Sequence, residues 1–135
     1  KDLAEAIVRA TKAVDPAIIL LATTGSELLN AGDALNVPTA SEVFADRTYD
    51  AQGNLTSRKR DDAMIRDPEQ AVEHVLRMVE TGKVRSTDGV EVPVTVHSIC
   101  VHGDEPTGPA VAAAVRKALE AQGIEVVPLP DVPLN

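Results

Sequence analysis

At 135 residues, the chain has room for one domain of ordinary size and not for two. Hydrophobic residues make up 44% and charged ones 25%, the mixture of a packed globular protein and not of a disordered or fibrous one. The formal net charge of −8 repels phosphate backbones, so nucleic acid is excluded as the expected partner; there is also no bilayer-length apolar run and no signal-like leader, so a cytoplasmic address and no membrane contact are expected.

Asp2 and Glu5 have the spacing of a capping box, and Leu3, Ile7, Ala10 and Val14 then fall on one helical stripe predicted to be buried, with Pro16 ending the helix. Residues 17–22 are continuously apolar and too short for a helix, the pattern of a strand buried on both faces of a parallel sheet. Ser26 can cap a short helix running through Leu28, Leu29 and Ala31 toward Gly32, and residues 39–45 read as a second strand. The only two aromatic residues, Phe44 and Tyr49, fall in this region, so the core must be built from aliphatic side chains. From Asp46 to Arg66 no apolar period is sustained, and a loop that long in a compact domain is functional or disordered.

Asp67-Pro68-Glu69-Gln70 supplies an N-cap and a proline at the first helical position, after which Val72, Val75, Leu76 and Val79 form a stripe that Gly82 closes. Asp88-Gly89 is a tight-turn pair between residues 83–86 and 90–93, predicting a peripheral hairpin. Residues 94–101 read as a core strand, and a helix follows from about Pro109 through Val111, Val115, Ala118 and Leu119 to Gly123. A last strand is predicted over 124–129, and Pro128, Pro130 and Pro133 mark an extended tail. The alternation implies a single α/β domain over 1–135 with parallel strands and crossover helices. It opens on a helix, as if cut inside a repeating β/α series.

In parallel α/β sheets and barrels, ligands gather at the carboxyl ends of the strands, which singles out two clusters. The first is Cys100-Val101-His102-Gly103-Asp104, where a strand delivers an imidazole and a carboxylate fit for proton transfer or metal ligation. The competing reading is that Asp104 caps the next helix and His102 bonds a carbonyl. Cys100, the one cysteine, excludes a disulfide framework and multi-cysteine zinc modules. His74, beside Glu73 and Arg77, falls on a predicted solvent face, and His97 reads as a satisfied strand residue.

The second cluster runs from Glu42 to Tyr49, with Asp46 and Arg47 at its centre. A carboxylate there can activate water, and Arg47 offers forked donors for a substrate carboxylate or phosphate. An internal Arg–carboxylate pair pinning the loop explains the same residues. Arg58-Lys59-Arg60 is either an anion dock or a solvated surface. The sequence carries no phosphate-binding loop, dinucleotide fingerprint, nucleophile elbow or Cys-x-x-Cys pair.

Glu42-Val43-Phe44-Ala45-Asp46-Arg47 with Tyr49, then Gly53, Leu55, Arg58, Ala63 and Ile65, Met78-Val79, and Ile99-Cys100-Val101-His102-Gly103-Asp104 occur in an order that resembles the LamB/YcsF family. Asp62 departs from the small residue expected before Ala63. The resemblance implies a β/α barrel of TIM-like, deacetylase-related type, of which this chain is the C-terminal half. It further implies ATP-dependent opening of 5-oxo-L-proline to L-glutamate, performed with the barrel's N-terminal half and with 5-oxoprolinase subunits B and C. On that footing Asp104 or Glu42 is expected as base, His102 as acid or hydrogen-bond donor, and Arg47 or Arg58 as anion anchor, with Asp46 orienting Arg47. Two alternatives stand beside it. In one, His102 and Asp104 hold a divalent metal in a deacetylase-like hydrolase; in the other, the chain is an assembly module.

Overall fold

A computed structural model describes residues 1–134. Four helices, α1 (Asp2–Val14), α2 (Glu27–Leu35), α3 (Pro68–Thr81) and α4 (Gly108–Ala121), alternate with strands β1 (Leu20–Thr23), β2 (Thr39–Phe44), β3 (Lys83–Arg85), β4 (Glu91–Pro93) and β5 (Ser98–Cys100). The main sheet is three-stranded and parallel in the order β1-β2-β5, while β3 and β4 form a separate antiparallel hairpin. The α/β class and the crossover helices expected from the alternation are therefore present.

The register fixes which side chains share a face. Leu21 and Thr23 pair with Ala40 and Glu42, and Glu42 and Phe44 pair with Ser98 and Cys100. By strict alternation these side chains line one face. Val43, Ala45, Ile99 and Val101 belong to the other, where they join a core with Ala71, Val75 and Met78 of α3 and Val111, Val115 and Leu119 of α4. A smaller core holds Ala4 and Val8 of α1 against Ala31 and Val37.

Helix α1 buries a different stripe from the one predicted. Ala4 and Val8 face α2, whereas Leu3 is 75% and Val14 80% exposed. Apolar residues cover two faces of this helix, and the small Ala4 beside Ala31 permits the closer approach. Nor does a capping box form, because Asp2 is already helical and Lys1 holds the cap position; Asp2 and Glu5 instead complement the helix dipole from the first turn. At α2, Ser26 takes the cap position without a side-chain bond. The helix runs past Gly32 to a left-handed Asn36, because Gly32 is not a stop: a Cβ there would strike the Thr39 side chain.

The Asp67 carboxylate accepts from the backbone N–H groups of Glu69 and Gln70, both at 2.9 Å, and Gly82 ends α3 in the left-handed region, as the sequence predicts. Asp67→Ala should cost about 1 kcal/mol, read as a lower urea midpoint with an unchanged slope. The β3–β4 hairpin is not peripheral: Val84 is fully buried, and the Thr87 N–H donates to the Tyr49 carbonyl at 2.9 Å.

Three strand predictions change: the strand expected over 17–22 and buried on both faces begins only at Leu20, with Leu21 41% exposed, and two others shorten or are absent. Of residues 94–101 only Ser98–Cys100 form a ladder, because beside them the pairing passes through side chains. The Ser41 N–H donates to His97 Nδ1 at 3.0 Å, its hydroxyl donates to the Thr95 carbonyl at 2.8 Å, and the Thr95 N–H donates to Thr24 Oγ1 at 3.1 Å. His97 is thus satisfied within the sheet, as expected. Residues 124–129 form no strand at all; Ile124–Val127 lie unpaired across an apolar groove of about 580 Å³ from Val96–Ile99.

Candidate active site

Continuing the β2–β5 register two residues past Phe44 and Cys100 brings Asp46 opposite His102. The two close into a pair: the His102 backbone N–H donates to Asp46 Oδ2 at 2.7 Å, and His102 Nδ1 meets Oδ1 at 2.9 Å. Asp46 is 3% exposed, while the His102 side chain keeps 20% of its surface. A carboxylate can only accept, so the nitrogen facing it carries the proton, and in the neutral imidazole Nε2 keeps its lone pair. The Phe44 ring stacks on the imidazole, centroids 5.7 Å apart and planes 21° apart.

Glu42 and Ser98 sit lower on the same face, with the Ser98 hydroxyl donating to Glu42 Oε1 at 3.3 Å. Between them and the pair lies Cys100, whose thiol pKa is pushed up by burial and then by the Glu42 and Asp46 carboxylates. It therefore stays a thiol at neutral pH, unsuited to nucleophilic attack.

Asp46 does not orient Arg47; both of its oxygens serve His102. Arg47 is only 7% exposed, and its Nη2 donates to the Thr56 carbonyl at 2.7 Å, while its backbone bridges Met64. Burial, followed by the nearby Arg58 charge, lowers its pKa. The residue pins the loop, as the alternative reading held, though to a carbonyl and not to a carboxylate. With a second bridge between Tyr49 and Leu55, residues 46–66 are an ordered excursion.

Asp104 is exposed and stands 3.9 Å from Arg58, too long and too solvated a contact to hold either side chain firmly. It does not cap α4, whose cap position is Thr107. A second pair, Arg66–Glu105 at 3.2 Å, also joins the loop to this turn. Arg60 is taken by Asp62 in a two-pronged contact at 2.8 and 2.7 Å, which gives the departing Asp62 a local role. The structure thus brings together Glu42, Asp46 and His102 on one sheet face, sets Arg58 and Asp104 at the rim, and withdraws Arg47 into the loop. Among the described residues no three His, Cys, Asp or Glu side chains converge as a metal site.

The sequence reading misplaces His74. It is half-buried, with Nε2 turned inward and buried, and its ring is 6.0 Å from that of Tyr49. Its i−3 and i+4 neighbours, Ala71 and Met78, are both core residues, which is the signal that could have found it. Burial lowers the His74 pKa below its ordinary 6.5. Below that pH the unfolded chain takes up a proton that the native ring resists, so stability falls as pH drops through this window and recovers as it rises. His74→Leu should flatten the difference between urea midpoints in mildly acidic and neutral buffer; an unchanged difference would assign the acid sensitivity to other groups. Tyr49, fully buried, has its pKa raised to about 12, chiefly by desolvation, and its Oη accepts the Phe44 backbone N–H at 3.0 Å.

A parallel β/α sheet carrying a carboxylate–imidazole pair at the carboxyl ends of adjacent strands has the layout of an α/β enzyme site. The chain belongs to the LamB/YcsF family, whose model matches residues 1–133. It is 45% identical over 93% of its length to the 5-oxoprolinase A-subunit of Bacillus licheniformis, covering 50% of that protein. With the Halalkalibacterium halodurans A-subunit it shares 42% identity over 96% of its length, again covering 50% of the relative. The crystal structure of a lactam utilization protein from Thermus thermophilus superposes on 91% of the chain and 49% of that protein, with a TM-score of 0.83 and 40% identity. The chain therefore spans about half the length of the relatives it matches. No helix among the described residues is long and apolar enough to cross a membrane.

Proposed function

We propose that this chain forms the C-terminal half of the A-subunit of a 5-oxoprolinase, a hydrolase that opens the lactam of 5-oxo-L-proline to L-glutamate at the expense of ATP. The observation that carries the reading is the Asp46–His102 pair with Nε2 free, set in a sequence whose relatives are named as the A-subunit of 5-oxoprolinase. The monotonic strand order and the polar face of Thr23, Glu42, Ser98 and His102 suit half of a barrel wall, its interior closed by the N-terminal half.

Lactam resonance resists attack by water. In the proposed sequence the γ-phosphoryl group of ATP passes to the lactam oxygen, releasing ADP. Water then adds to the ring carbon, giving its proton to a base. Cleavage of the C–N bond, with a proton returned to the ring nitrogen, leaves an acyl phosphate. A second water hydrolyses this to glutamate and phosphate. In this sequence His102 Nε2 takes the first proton and returns it, with Asp46 stabilising the transient imidazolium. Glu42, on the same face, is the further candidate base, and Arg58 at the rim is the candidate anchor for the substrate carboxylate. Subunits B and C complete the assembly, and the phosphoryl transfer is not assigned to this chain.

The test is glutamate release from 5-oxoproline and ATP by the chain alone, with the N-terminal half, and with subunits B and C. Activity only in the complete mixture is expected. An inactive mixture shown by sizing to be assembled would overturn the proposal.

A further inference from the structure

The chain has two aromatic residues and three histidines. Both aromatics and two of the histidines form one continuous column through the site. His102 stacks on Phe44 at 5.7 Å; the Phe44 backbone N–H donates to Tyr49 Oη at 3.0 Å; and the Tyr49 ring meets His74 at 6.0 Å. The column starts at the partly open His102 and ends inside α3.

Each contact has a physical consequence. Asp46 bonds Nδ1 and so fixes one edge of the imidazole, but a hydrogen bond at one edge leaves the ring free to rock about that bond. A stacked Phe44 ring on its face removes this second freedom. Phe44 is the last residue of β2, where the flanking strand β1 has already ended, so its N–H has left the β1–β2 ladder. Tyr49 supplies the missing acceptor from a side chain, and thereby fixes the strand end that carries the stacked ring. Tyr49 is itself held in place, with its carbonyl bonded by Thr87 and its backbone paired with Leu55.

We propose that Phe44 and Tyr49 are positioning residues for His102: Phe44 holds the imidazole plane by stacking, and Tyr49 holds Phe44 through its hydroxyl. The inference rests on the reading of His102 as the proton-transfer group. It adds two residues that act through His102, and it gives a role to the only two aromatic residues of the sequence.

The experiment compares Phe44→Leu, Phe44→Tyr and Tyr49→Phe with His102→Ala in the complete glutamate-releasing assembly, with kcat and KM measured separately and melting temperature as a control. A small misplacement of a reacting group costs one to two orders of magnitude in rate, so Phe44→Leu should lower kcat roughly tenfold with KM nearly unchanged. Phe44→Tyr, which keeps a stacking ring, should restore kcat. Tyr49→Phe should reproduce part of the kcat loss while leaving the core volume intact, and it decides the matter should Phe44→Leu not fold. In the NMR spectrum the His102 ring protons should move downfield in Phe44→Leu as the aromatic ring current is lost. An inactive His102→Ala beside fully active Phe44→Leu and Tyr49→Phe would overturn the positioning role alone. So would equal kcat losses in the Leu and Tyr variants, which indicate packing. Full activity in His102→Ala would overturn the reading of His102 as the proton-transfer group, and the positioning role with it, whereas an assembled but inactive wild type would overturn the proposed function.

Discussion

Asp46→Asn is expected to lower glutamate release by the complete assembly about 10²–10⁴-fold, the range that general acid–base catalysis contributes, without dissociating it. The two bonds made by Asp46 explain why so small a change matters. The His102 backbone N–H can only donate, so the amide must turn its oxygen toward that group and its NH2 toward Nδ1. The imidazole then has to accept at Nδ1 and carry its proton on Nε2, the tautomer that cannot take a proton from water. The fold is preserved while the proton sits on the wrong nitrogen. A wild-type rate in Asp46→Asn, with His102→Ala inactive, would remove Asp46 from the mechanism.

Gly108→Ala is expected to lower both stability and turnover. A Cβ at Gly108 would lie 2.5 Å from the His102 carbonyl oxygen and 3.7 Å from the Gly103 Cα. The obstacle is backbone, so no rotamer change relieves it; either the start of α4 or the strand end carrying His102 must move. Overpacking of this kind costs about 1–3 kcal/mol, and any displacement of His102 adds a loss in kcat. Unfolding by urea and kinetics on the same preparation separate the two. Unchanged values for both would mean that the α4 start is free to shift, which the buried Gly108 and Val111 argue against.

Sequence patterns identify elements well where the information is local. The Asp67 cap, the Gly82 stop and the Asp88-Gly89 turn each depend on residues within a few positions of one another, and each is present. Patterns mislead where a choice between partners is needed. Helix α1 has two apolar stripes, and the packing of α2 selects between them. Residues 124–129 have strand-forming side chains, yet a strand requires a neighbour's backbone, which the described chain does not place there. The site divides the same way. Glu42, Asp46 and His102 are legible as strand-end residues, but the sequence separation of 56 positions between Asp46 and His102 hides their contact. A parallel register continued past Phe44 and Cys100 reveals it at once. The sequence alone couples Asp46 to its neighbour Arg47, an error that shows how adjacency in the chain competes with adjacency in the sheet.

The buried Tyr49 also determines how the protein can be observed. It is the sole tyrosine in a chain without tryptophan, so tyrosine fluorescence from this chain has one source. That source belongs to the loop of residues 46–66, its side chain buried and hydrogen-bonded to the strand end that holds the stacked Phe44. Its emission and the quenching of that emission by acrylamide therefore report on this one corner of the molecule, with no label introduced. The same economy leaves the chain almost transparent in the near ultraviolet, so its concentration has to be measured by peptide absorbance or amino-acid analysis.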